Sequence, residues 1–422
     1  MSPRQPDGAP LPGVGELPEQ VCVATSSGTE RPFSVYLHVP YCRVRCGYCD
    51  FNTYTNLSMG GGASLGDYVD TLVGELRLAR AAMDRAGLPR RAARTVFVGG
   101  GTPTMLPAGD LARMLQEVRE TWGLVEEAEV TTEANPETVD ERYLAALAQA
   151  GFTRVSFGMQ SAVPQVLRTL DRTHTPERVP QVVAWAQRAG LETSLDLIYG
   201  APGESMEDWR RSLQAAVEIG PGHLSAYALV IEKGTRMWAQ VRRGELPLPT
   251  DDDEAAKYEL ADALLAGAGY RWYEISNWAR PGHECAHNQA YWRDWDWWGA
   301  GPGAHSHLGD VRLWNAKHPV AWAGQVASGR LPVAGHEIID ADSRELERVM
   351  LGIRTREGLE LAGLARPGEE TTAEGTPRRL VGAIGEFVAQ GLLDGVAAEA
   401  GCAVLTRRGR LMADTVTRGL VE

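Results

Sequence analysis

The sequence contains few cysteines, no long apolar run and no excess of positive charge. Only six of its 422 residues are cysteines, and none belongs to a Cys-x-x-Cys-His motif for covalent heme attachment. No apolar stretch is long enough to cross a bilayer as a helix. The formal net charge of −13 argues against a broad nucleic-acid-binding surface. These absences leave a globular protein whose few thiols need a specific explanation.

The N-terminal segment, residues 1–32, is rich in proline, glycine and glutamate and lacks the apolar core of a signal peptide. We expect it to be a disordered leader and the protein to be cytoplasmic. The six cysteines are Cys22, Cys42, Cys46, Cys49, Cys285 and Cys402. Three clustered and three scattered cysteines in a cytosolic chain favour a metal site over disulfides. Cys22 falls in the leader and is interpreted as a bystander.

Cys42, Cys46 and Cys49 form a C-x3-C-x2-C pattern directly after a short apolar strand. Three thiolates on one tight loop can hold three irons of a [4Fe–4S] cluster and leave the fourth iron open to a small molecule. A zinc knuckle is the alternative, but zinc prefers four ligands and paired C-x2-C motifs, and the sequence has no second pair. The aromatic frame Tyr36-x-His38-x-Pro40-Tyr41 also favours the cluster.

Short β-branched strands alternate with amphipathic helices in the first half of the chain. The expected strands are Ser34–Val39, Thr95–Val98, Glu129–Glu133, Arg154–Phe157, Thr193–Ile198 and Leu224–Leu229. This alternation predicts right-handed βαβ units and a parallel sheet, and therefore an α/β fold. Six units are too few for a closed eight-stranded barrel, so we expect an open, partial (β/α)6 barrel that binds ligands at the carboxyl ends of its strands.

Residues suited to ligand binding follow these strands. Gly99-Gly100-Gly101-Thr102-Pro103 follows the second strand, and its glycines would let the backbone approach a ligand, although a simple tight turn uses the same residues. Glu133 and Asp196 lie in otherwise apolar strands, where a charge is costly unless it is paired or meets a ligand. Each feature alone is compatible with a structural role, but their occurrence together at successive strand ends favours ligand contact.

Several motifs then occur in a fixed order. They are Tyr36-x-His38-x-Pro40-Tyr41-Cys42, Gly99–Pro103, Ser156-Phe157-Gly158-Met159-Gln160-Ser161, Asp171-Arg172-Thr173-His174 and Asp196-Leu197-Ile198-Tyr199-Gly200-x-Pro202. The series resembles the oxygen-independent coproporphyrinogen III oxidase group of the radical S-adenosylmethionine (SAM) superfamily, from about Pro32 to the C-terminus. The resemblance implies a [4Fe–4S] cluster on Cys42, Cys46 and Cys49, SAM chelating the open iron, and an electron donor for the cluster.

The resemblance also implies a set of SAM-binding residues. The set comprises Tyr36, Tyr48 through its backbone, Gly100, Gly101, Thr102, Glu133, Gln160, Arg172, Asp196 and Ala226. Within it, Gly100–Thr102 would contact the methionine part of SAM, and Arg172 would bind its carboxylate. Glu133 and Asp196 would bind ribose or amino groups, and Ala226, after the sixth strand, would line the adenine end.

This group contains two functions. One is the dehydrogenase that decarboxylates two propionates of coproporphyrinogen III, and the other is a heme chaperone that passes heme to an acceptor protein. The dehydrogenase has a further cysteine two residues after the third cluster cysteine, where this sequence has Phe51. It also has an ordered N-terminal segment over its active site, whereas the leader here is short. We therefore favour the heme chaperone, expect no dehydrogenase activity, and leave open whether the protein is an enzyme.

The segment His287-Asn288-x-x-Tyr291-Trp292 resembles the heme-binding motif of the chaperone branch. Neutral imidazole is a standard axial ligand of heme iron, so His287 is the candidate heme ligand, with Cys285 considered as a second one. Eight of the twelve tryptophans lie between Trp272 and Trp322, and most of them are interpreted as core residues. The glycine-rich stretch Gly299–Ser306 is expected to approach the SAM or heme site, without a specific role.

The C-terminal region reads as helices with a hairpin after Gly391 and a last helix capped by Thr406, a winged-helix-like layout. Its basic cluster, Arg407, Arg408 and Arg410, is too small to favour DNA binding, so we expect a lid or partner-docking role. The expected domains are the leader 1–32, the barrel 33–240, an aromatic-rich connecting region 241–342 and the C-terminal domain 343–422.

Overall fold

The structure, a computed structural model, describes residues 8–13, 15–21, 31–366 and 368–421, so Cys22 lies outside the described residues. The chain forms two compact units. The first contains the residues up to Lys257 and Trp295–Ile338, and the second contains Tyr258–Asp294 and the residues from Ile339 onward. Residues 241–342, which we expected to form a connecting region, are thus shared between the two units.

Parallel strands with intervening helices form the first unit. The strands are β1 (Phe33–Val39), β2 (Ala93–Gly100), β3 (Leu124–Ala134), β4 (Arg154–Gln160), β5 (Glu192–Tyr199) and β6 (His223–Ala228). The helices are α1 (Tyr68–Arg85), α2 (Ala108–Thr121), α3 (Glu141–Ala150), α4 (Pro164–Thr169), α5 (Arg178–Arg188), α6 (Met206–Ile219), α7 (Arg236–Arg242) and the start of α8 (Asp251–Gly267). Each strand pairs in parallel with the next, which confirms the predicted α/β fold and its parallel sheet.

Helix α6 illustrates how the sequence sets these elements. The Ser205 hydroxyl accepts a hydrogen bond from the Asp208 backbone, while the Asp208 carboxylate accepts one from the Ser205 backbone, so the first turn is capped reciprocally. Gly220 ends the helix with a φ of +73°, a conformation that glycine adopts without steric cost. One face of the helix, including Trp209 and Leu213, is buried.

The sheet extends beyond β1 through four strands that sequence analysis missed. They are β9 (Asp296–Ala300), β10 (His305–Leu308), β11 (Val311–Asn315) and β12 (Val333–Ile338). Strand β9 pairs in parallel with β1, and β10, β11 and β12 continue in antiparallel fashion. The order in this unit is therefore β12-β11-β10-β9-β1-β2-β3-β4-β5-β6. Strand β1 consequently lies in the interior of the sheet, between β2 and β9.

Several strands are also longer than the sequence indicated. Gly100 lies in β2, Gln160 ends β4, and Ala226 lies inside β6 rather than after it. Part of the expected leader is in contact with the first unit, since the Ala9 backbone pairs with that of His336 and Val21 is fully buried. The described residues of this segment therefore pack against the unit instead of standing free of it.

The second unit is mainly helical. It contains the hairpin formed by β7 (Arg271–Glu274) and β8 (Asn277–Ala279) and the short helix α9 (Ala286–Trp292). The helices of its C-terminal region are α11 (Ala341–Ile353), α12 (Arg378–Ala389), α13 (Gly395–Glu399), α14 (Arg407–Leu411) and α15 (Ala413–Val421). Helix α10 (Pro319–Ala327) belongs to the first unit. Thr406 caps α14 by accepting from the Gly409 backbone, as predicted. The hairpin expected after Gly391 is present in part: Leu393 bridges Leu405 in antiparallel fashion, but α13 lies between them and the short strand Cys402–Ala403 pairs with Leu359–Glu360.

Arg410 is a structural residue of the second unit. Its guanidinium donates two hydrogen bonds of 2.8 Å to the Asp262 carboxylate and lies 4.5 Å from the Trp272 ring centroid. The side chain is buried, so Arg410 is not part of an exposed basic surface.

No helix in the described part of the chain combines the length and the apolar composition that crossing a bilayer requires.

We expect Gly409→Ala to destabilise the second unit by about 2 kcal/mol, because an added Cβ would collide with the Leu392 carbonyl oxygen. Gly385→Ala in α12 is the matched control, since the added Cβ there would meet no atom within 4 Å and alanine favours a helix by about 1 kcal/mol. Urea unfolding followed by circular dichroism measures both. Equal stability of the two variants would contradict the close approach at Gly409.

Candidate functional site

The three clustered cysteines lie on a loop that follows β1. The backbone of Cys42 donates to the Tyr54 carbonyl at 3.0 Å, and the backbone of Tyr54 donates to the Pro40 carbonyl at 2.7 Å, which closes the loop at its base. A further bond of 3.1 Å from the Cys49 N–H to the Cys46 carbonyl forms a turn inside it. All three thiols are free, and Cys42 is buried while the other two are half-buried.

Polar groups approach each sulfur of this loop. The Thr102 hydroxyl lies 3.6 Å from the Cys42 sulfur, and one guanidinium nitrogen of Arg172 lies 3.6 Å from the Cys46 sulfur. The Thr53 hydroxyl lies 3.9 Å from the Cys49 sulfur. Burial raises the pKa of the Cys42 thiol to about 11, so a bound metal is needed to make it a thiolate near neutral pH. Such donors are among the features that tune iron–sulfur clusters.

The donor set fits a cluster better than a single ion. In the described residues, no group of three or more His, Cys, Asp or Glu side chains is arranged to hold one metal ion. Structural zinc needs four ligands on one ion, whereas a cubane accepts one thiolate on each of its irons. The zinc alternative therefore gains no support, and three free thiols on one loop remain compatible with three of the four irons.

Glycines at the end of β2 let the cysteine loop pack closely against that strand. The Gly101 N–H donates to the Val39 carbonyl, and the Thr102 N–H donates to the Tyr41 carbonyl, both at 2.8 Å. A Cβ on Gly101 would lie 2.6 Å from the Tyr41 oxygen and 3.0 Å from the Cys42 sulfur. Backbone contact with the loop, rather than a simple turn, accounts for the glycine at this position.

Two carboxylates lie near each other at the same edge of the sheet. Glu133 accepts a hydrogen bond of 2.9 Å from the Gly100 N–H, and burial together with the charge of Asp196 raises its pKa to about 8. Asp196 accepts from the hydroxyls of Ser156 and Ser225 at 2.9 and 2.8 Å, and burial raises its pKa as well. The charge of Arg172 lowers the pKa of Asp196, but the effect of burial is larger. This arrangement is suited to a cationic or hydroxyl-bearing ligand.

Arg172 and Gln160 lie beside the cysteine loop and the end of β4. One guanidinium nitrogen of Arg172 donates to Asn135 Oδ1 at 2.6 Å and to the Gly158 carbonyl at 3.0 Å. The Arg172 Nε and the Gln160 Oε1 are buried and have no hydrogen-bond partner among the described residues. Gln160 has a φ of +60°, which is uncommon for a residue other than glycine. Unpaired buried polar atoms of this kind are expected where a polar ligand binds.

The structure brings part of the expected set together. Cys46, Thr102 and Arg172 line one narrow crevice together with Asn135 and Glu137. Thr102 and Arg172 are the members of the expected SAM-binding set that line it, and the other eight do not. Among those eight, Tyr48 packs on an apolar cluster that includes Val166 and Met237, and Ala226 is buried inside β6. Tyr36 lies on β1 with its hydroxyl 3.0 Å from His38 Nδ1.

Sequence analysis did not select Asn135, although its position signals a role. Its amide group accepts from Arg172 and donates to the Thr102 hydroxyl at 3.2 Å, so it links two candidate site residues. Asn135 directly follows β3 and precedes Pro136, which places it at the ligand-binding edge of a parallel sheet. The same criterion that selected Glu133 would therefore have found it.

His287 lies in the second unit, on α9. Its side chain is buried, with 2% exposure, and Nε2 lies 2.9 Å from the Tyr291 hydroxyl. Burial lowers the pKa of His287 to about 3, so the imidazole is neutral near pH 7. Trp292 of the same helix lines a cavity of about 270 Å³ together with Tyr273 and Arg356. The imidazole has the protonation state of a metal ligand, but its Nε2 is engaged with Tyr291.

Comparisons with known proteins support these observations. Residues 36–216 match the radical SAM superfamily model. The chain is 48% identical to the heme chaperone HemW of Mycobacterium tuberculosis over 97% of both chains. It is 38% identical to the Escherichia coli heme chaperone HemW over 66% of this chain and 70% of that protein. Radical S-adenosyl methionine domain-containing protein 1, mitochondrial, of Bos taurus is 34% identical over 79% of this chain and 75% of that one.

One solved structure has the same fold. The radical SAM enzyme coproporphyrinogen III oxidase (HemN) from Escherichia coli aligns with a TM-score of 0.77, covering 94% of this chain and 92% of that chain. The two sequences are 23% identical, so this likeness shows the fold alone. It confirms the expected radical SAM architecture with its partial barrel and a helical C-terminal region.

We expect Glu133→Gln to flatten the pH dependence of stability. The pKa of Glu133 is raised from 4.5 to about 8 in the folded chain. The contribution of Glu133 to the free energy of unfolding is therefore complete below pH 4.5 and is lost as the pH rises through 8. The amide never ionises, so the ligand-free variant should be more stable than the wild type at high pH, by on the order of 2 kcal/mol.

Thermal unfolding of the ligand-free protein at mildly acidic and mildly alkaline pH measures this difference. Glu126→Gln is the matched control, because Glu126 lies on the same strand and is exposed. An identical pH dependence in the wild type and the Glu133 variant would contradict the electrostatic account of this site.

Proposed function

The chain belongs to the HemW family of heme chaperones within the radical SAM superfamily, and we propose that it binds heme and transfers it to an acceptor protein. The observation that carries the proposal is the 48% identity to the Mycobacterium tuberculosis heme chaperone HemW over 97% of both chains. A likeness of this extent covers both units and spans the positions around His287. The acceptor is a protein of still unknown identity.

We further propose that Cys42, Cys46 and Cys49 hold a [4Fe–4S] cluster. When bound, such a cluster supplies an open iron for SAM and a one-electron site that an external donor can reduce. Thr102 and Arg172 approach two of the three sulfurs and would stabilise negative charge there. The crevice beside Arg172 and the unpaired buried atoms of Arg172 and Gln160 support a polar ligand at this position.

SAM would then contact the candidate residues named from the sequence: Tyr36, Tyr48, Gly100, Gly101, Thr102, Glu133, Gln160, Arg172, Asp196 and Ala226. Glu133 and Asp196 present carboxyl oxygens that suit the amino group or the ribose hydroxyls of SAM, and a cationic amino group would favour their ionised forms. Arg172 provides the matching positive charge for the carboxylate. The burial of Ala226 within β6 gives that residue weaker support than the others.

Heme binding at His287 is supported by the neutral state of its imidazole and by its motif. Coordination by Nε2 would require the imidazole to leave the Tyr291 hydroxyl. The cavity beside Trp292 offers an aromatic wall on the same helix. Cys285 precedes this helix and is buried, so it is a weaker candidate for a second ligand.

The alternative function is oxygen-independent coproporphyrinogen III dehydrogenase. The Escherichia coli enzyme shares its fold with this chain, which is compatible with that function, but the residue two positions after Cys49 argues against it. Phe51 occupies the position where the dehydrogenase has a fourth cysteine, and its side chain is 62% exposed.

A cytoplasmic location is part of our proposal, since the described cysteines Cys42, Cys46, Cys49, Cys285 and Cys402 are free thiols, as in a reducing compartment.

We expect wild-type protein to bind heme in about one equivalent, and His287→Ala to weaken binding about tenfold or more because an axial ligand is lost. Absorbance titration in the Soret region measures both affinities. His283→Ala is the matched control, because it removes a histidine from the same unit four positions earlier and should leave binding unchanged.

Heme affinity that survives in the His287 variant would remove His287 as the ligand while leaving the chaperone proposal intact.

The same preparations, reconstituted with iron and sulfide and supplied with SAM and a reductant, are assayed with coproporphyrinogen III. Formation of the vinyl product together with failure of heme binding would establish the dehydrogenase instead.

A further inference from the structure

The glycine-rich stretch Gly299–Ser306 follows β9 and has no role in the account so far. Its turn, Gly301–Gly303, contacts α1 through one residue, Glu75. The Gly301 N–H donates to Glu75 Oε2 at 2.8 Å. The amide of Asn315 donates both to Glu75 Oε1 at 2.6 Å and to the Gly301 carbonyl at 2.9 Å. Both the N–H and the carbonyl of Gly301 are therefore hydrogen-bonded to side chains.

Glu75 is an unusual residue for the middle of a helix. Its side chain is fully buried, and it accepts a third hydrogen bond of 2.7 Å from Trp322 Nε1. No cation pairs with this carboxylate in the described part of the chain, and burial raises its pKa to about 7. A buried carboxyl group without a counter-charge is costly, whereas an apolar side chain would stabilise the same position. The hydrogen bonds that Glu75 accepts are what distinguish it from an apolar residue here.

The turn that Glu75 holds contacts the cysteine loop directly. The Asn52 side chain donates to the Pro302 carbonyl and to the Lys317 carbonyl, each at 2.9 Å. A Cβ on Gly303 would lie 2.7 Å from the Asn52 amide nitrogen, so the two chains touch. The Asn52 carbonyl is in turn 3.0 Å from His38 Nε2. Asn52 is only three residues beyond Cys49.

A second contact leads from the same turn to the strand before the loop. A Cβ on Gly301 would collide with the His38 carbonyl oxygen, so only glycine permits this approach. That same oxygen accepts a hydrogen bond of 2.6 Å from the Tyr68 hydroxyl, which also belongs to α1. Helix α1 therefore reaches both ends of the cysteine loop, directly at His38 and through the turn at Asn52.

We propose that Glu75 is a positioning residue for the cysteine loop: through the Gly301–Gly303 turn and Asn52 it fixes the backbone that carries Cys49. The proposal rests on the proposed function in one respect, namely that the loop holds a cluster. The positioning itself is a property of the chain without iron, SAM or heme. It gives the glycine-rich stretch a role as a support for the loop rather than as a ligand-contacting segment.

Thiol alkylation of the metal-free, full-length protein tests the proposal. Site-resolved mass spectrometry gives the rate at each cysteine under one pH and one reagent concentration. In Glu75→Gln, one acceptor oxygen is replaced by a donor, so the turn loses part of its anchorage. We expect Cys49 to react about tenfold faster than in the wild type, with Cys402 of the second unit unchanged as the internal reference.

Two further variants separate positioning from general stability. Asn52→Ala removes the hydrogen bonds from Asn52 to the Pro302 and Lys317 carbonyls and should raise the alkylation rate of Cys49 to a similar extent. Glu117→Gln is the matched control: Glu117 is a buried carboxylate of the same unit that pairs with Arg77 and has no recorded contact with the loop. It should lower the melting temperature without changing the Cys49 rate.

An unchanged Cys49 rate in Glu75→Gln overturns the proposal, and so does an equal acceleration in Glu117→Gln. Should Glu75→Gln fail to fold, Trp322→Phe removes one of the three donors while keeping an aromatic ring, and the same two criteria apply to it. Because the assay contains neither iron nor heme, its outcome is independent of whether the heme titration succeeds. If the protein does not bind heme but Glu75→Gln still raises the alkylation rate of Cys49, the result counts against the proposed function alone.

Discussion

The candidate site depends on one constraint: the cysteine loop follows a strand that has neighbours on both sides. Strand β1 pairs in parallel with β2 and with β9, so the carboxyl ends of all three strands lie at one edge of the sheet. The segments that follow β2 and β9 consequently flank the loop that follows β1. Both segments are rich in glycine, and in both a Cβ would collide with the chain of the loop or of β1, as at Gly101 and Gly301.

Packing of backbone against backbone has an electrostatic consequence. Without side chains at the glycines, the N–H groups of Gly100 and Gly301 are free to donate to carboxylates from the neighbouring elements, Glu133 and Glu75. Both carboxylates have raised pKa values because they are buried without a cation. The two differ in their remaining partners. Glu75 has three donors and is saturated by the protein, whereas Glu133 has Gly100 as its recorded donor and faces Asp196, so Glu133 is the one with capacity for a ligand.

The sequence sufficed for the part of this site that lies in consecutive βα units. Glu133 and Asp196 could be selected because each is a carboxylate in an otherwise apolar strand of a regular alternation, and Arg172 because it lies in the motif Asp171–His174. The alternation ends after β6, and β9 returns to β1 from far along the chain. Its sequence, Asp296-Trp297-Trp298-Gly299-Ala300, contains two tryptophans, which favour strands, but it has no β-branched residue, and the tryptophans were interpreted only as core residues.

Glu75 was missed for a different physical reason. A glutamate on an amphipathic helix is normally part of the solvent-exposed face, and the neighbours Leu72 and Leu76 already supply a buried stripe. Its burial follows from a turn and a tryptophan that lie more than two hundred residues later in the chain. Contacts of that sequence separation leave no periodic signal. The polar residues found by motif are thus those that the resemblance assigns to ligands, whereas the polar residue found by structure contacts the turn that packs on the cysteine loop.

The environment of His287 sets a condition on any use of this residue as a ligand. Its Nε2 cannot bind iron while it shares a hydrogen bond with Tyr291, and the two residues lie one turn apart on the same helix. Helix α9 has seven residues and no side-chain cap at its N-terminus, so it depends on packing rather than on intrinsic helix stability. Coordination by Nε2 would therefore require at least a rotation of the His287 or the Tyr291 side chain. The proposed transfer of heme would gain from this contact, because restoration of the buried His287–Tyr291 hydrogen bond would offset part of the free energy of the lost iron bond.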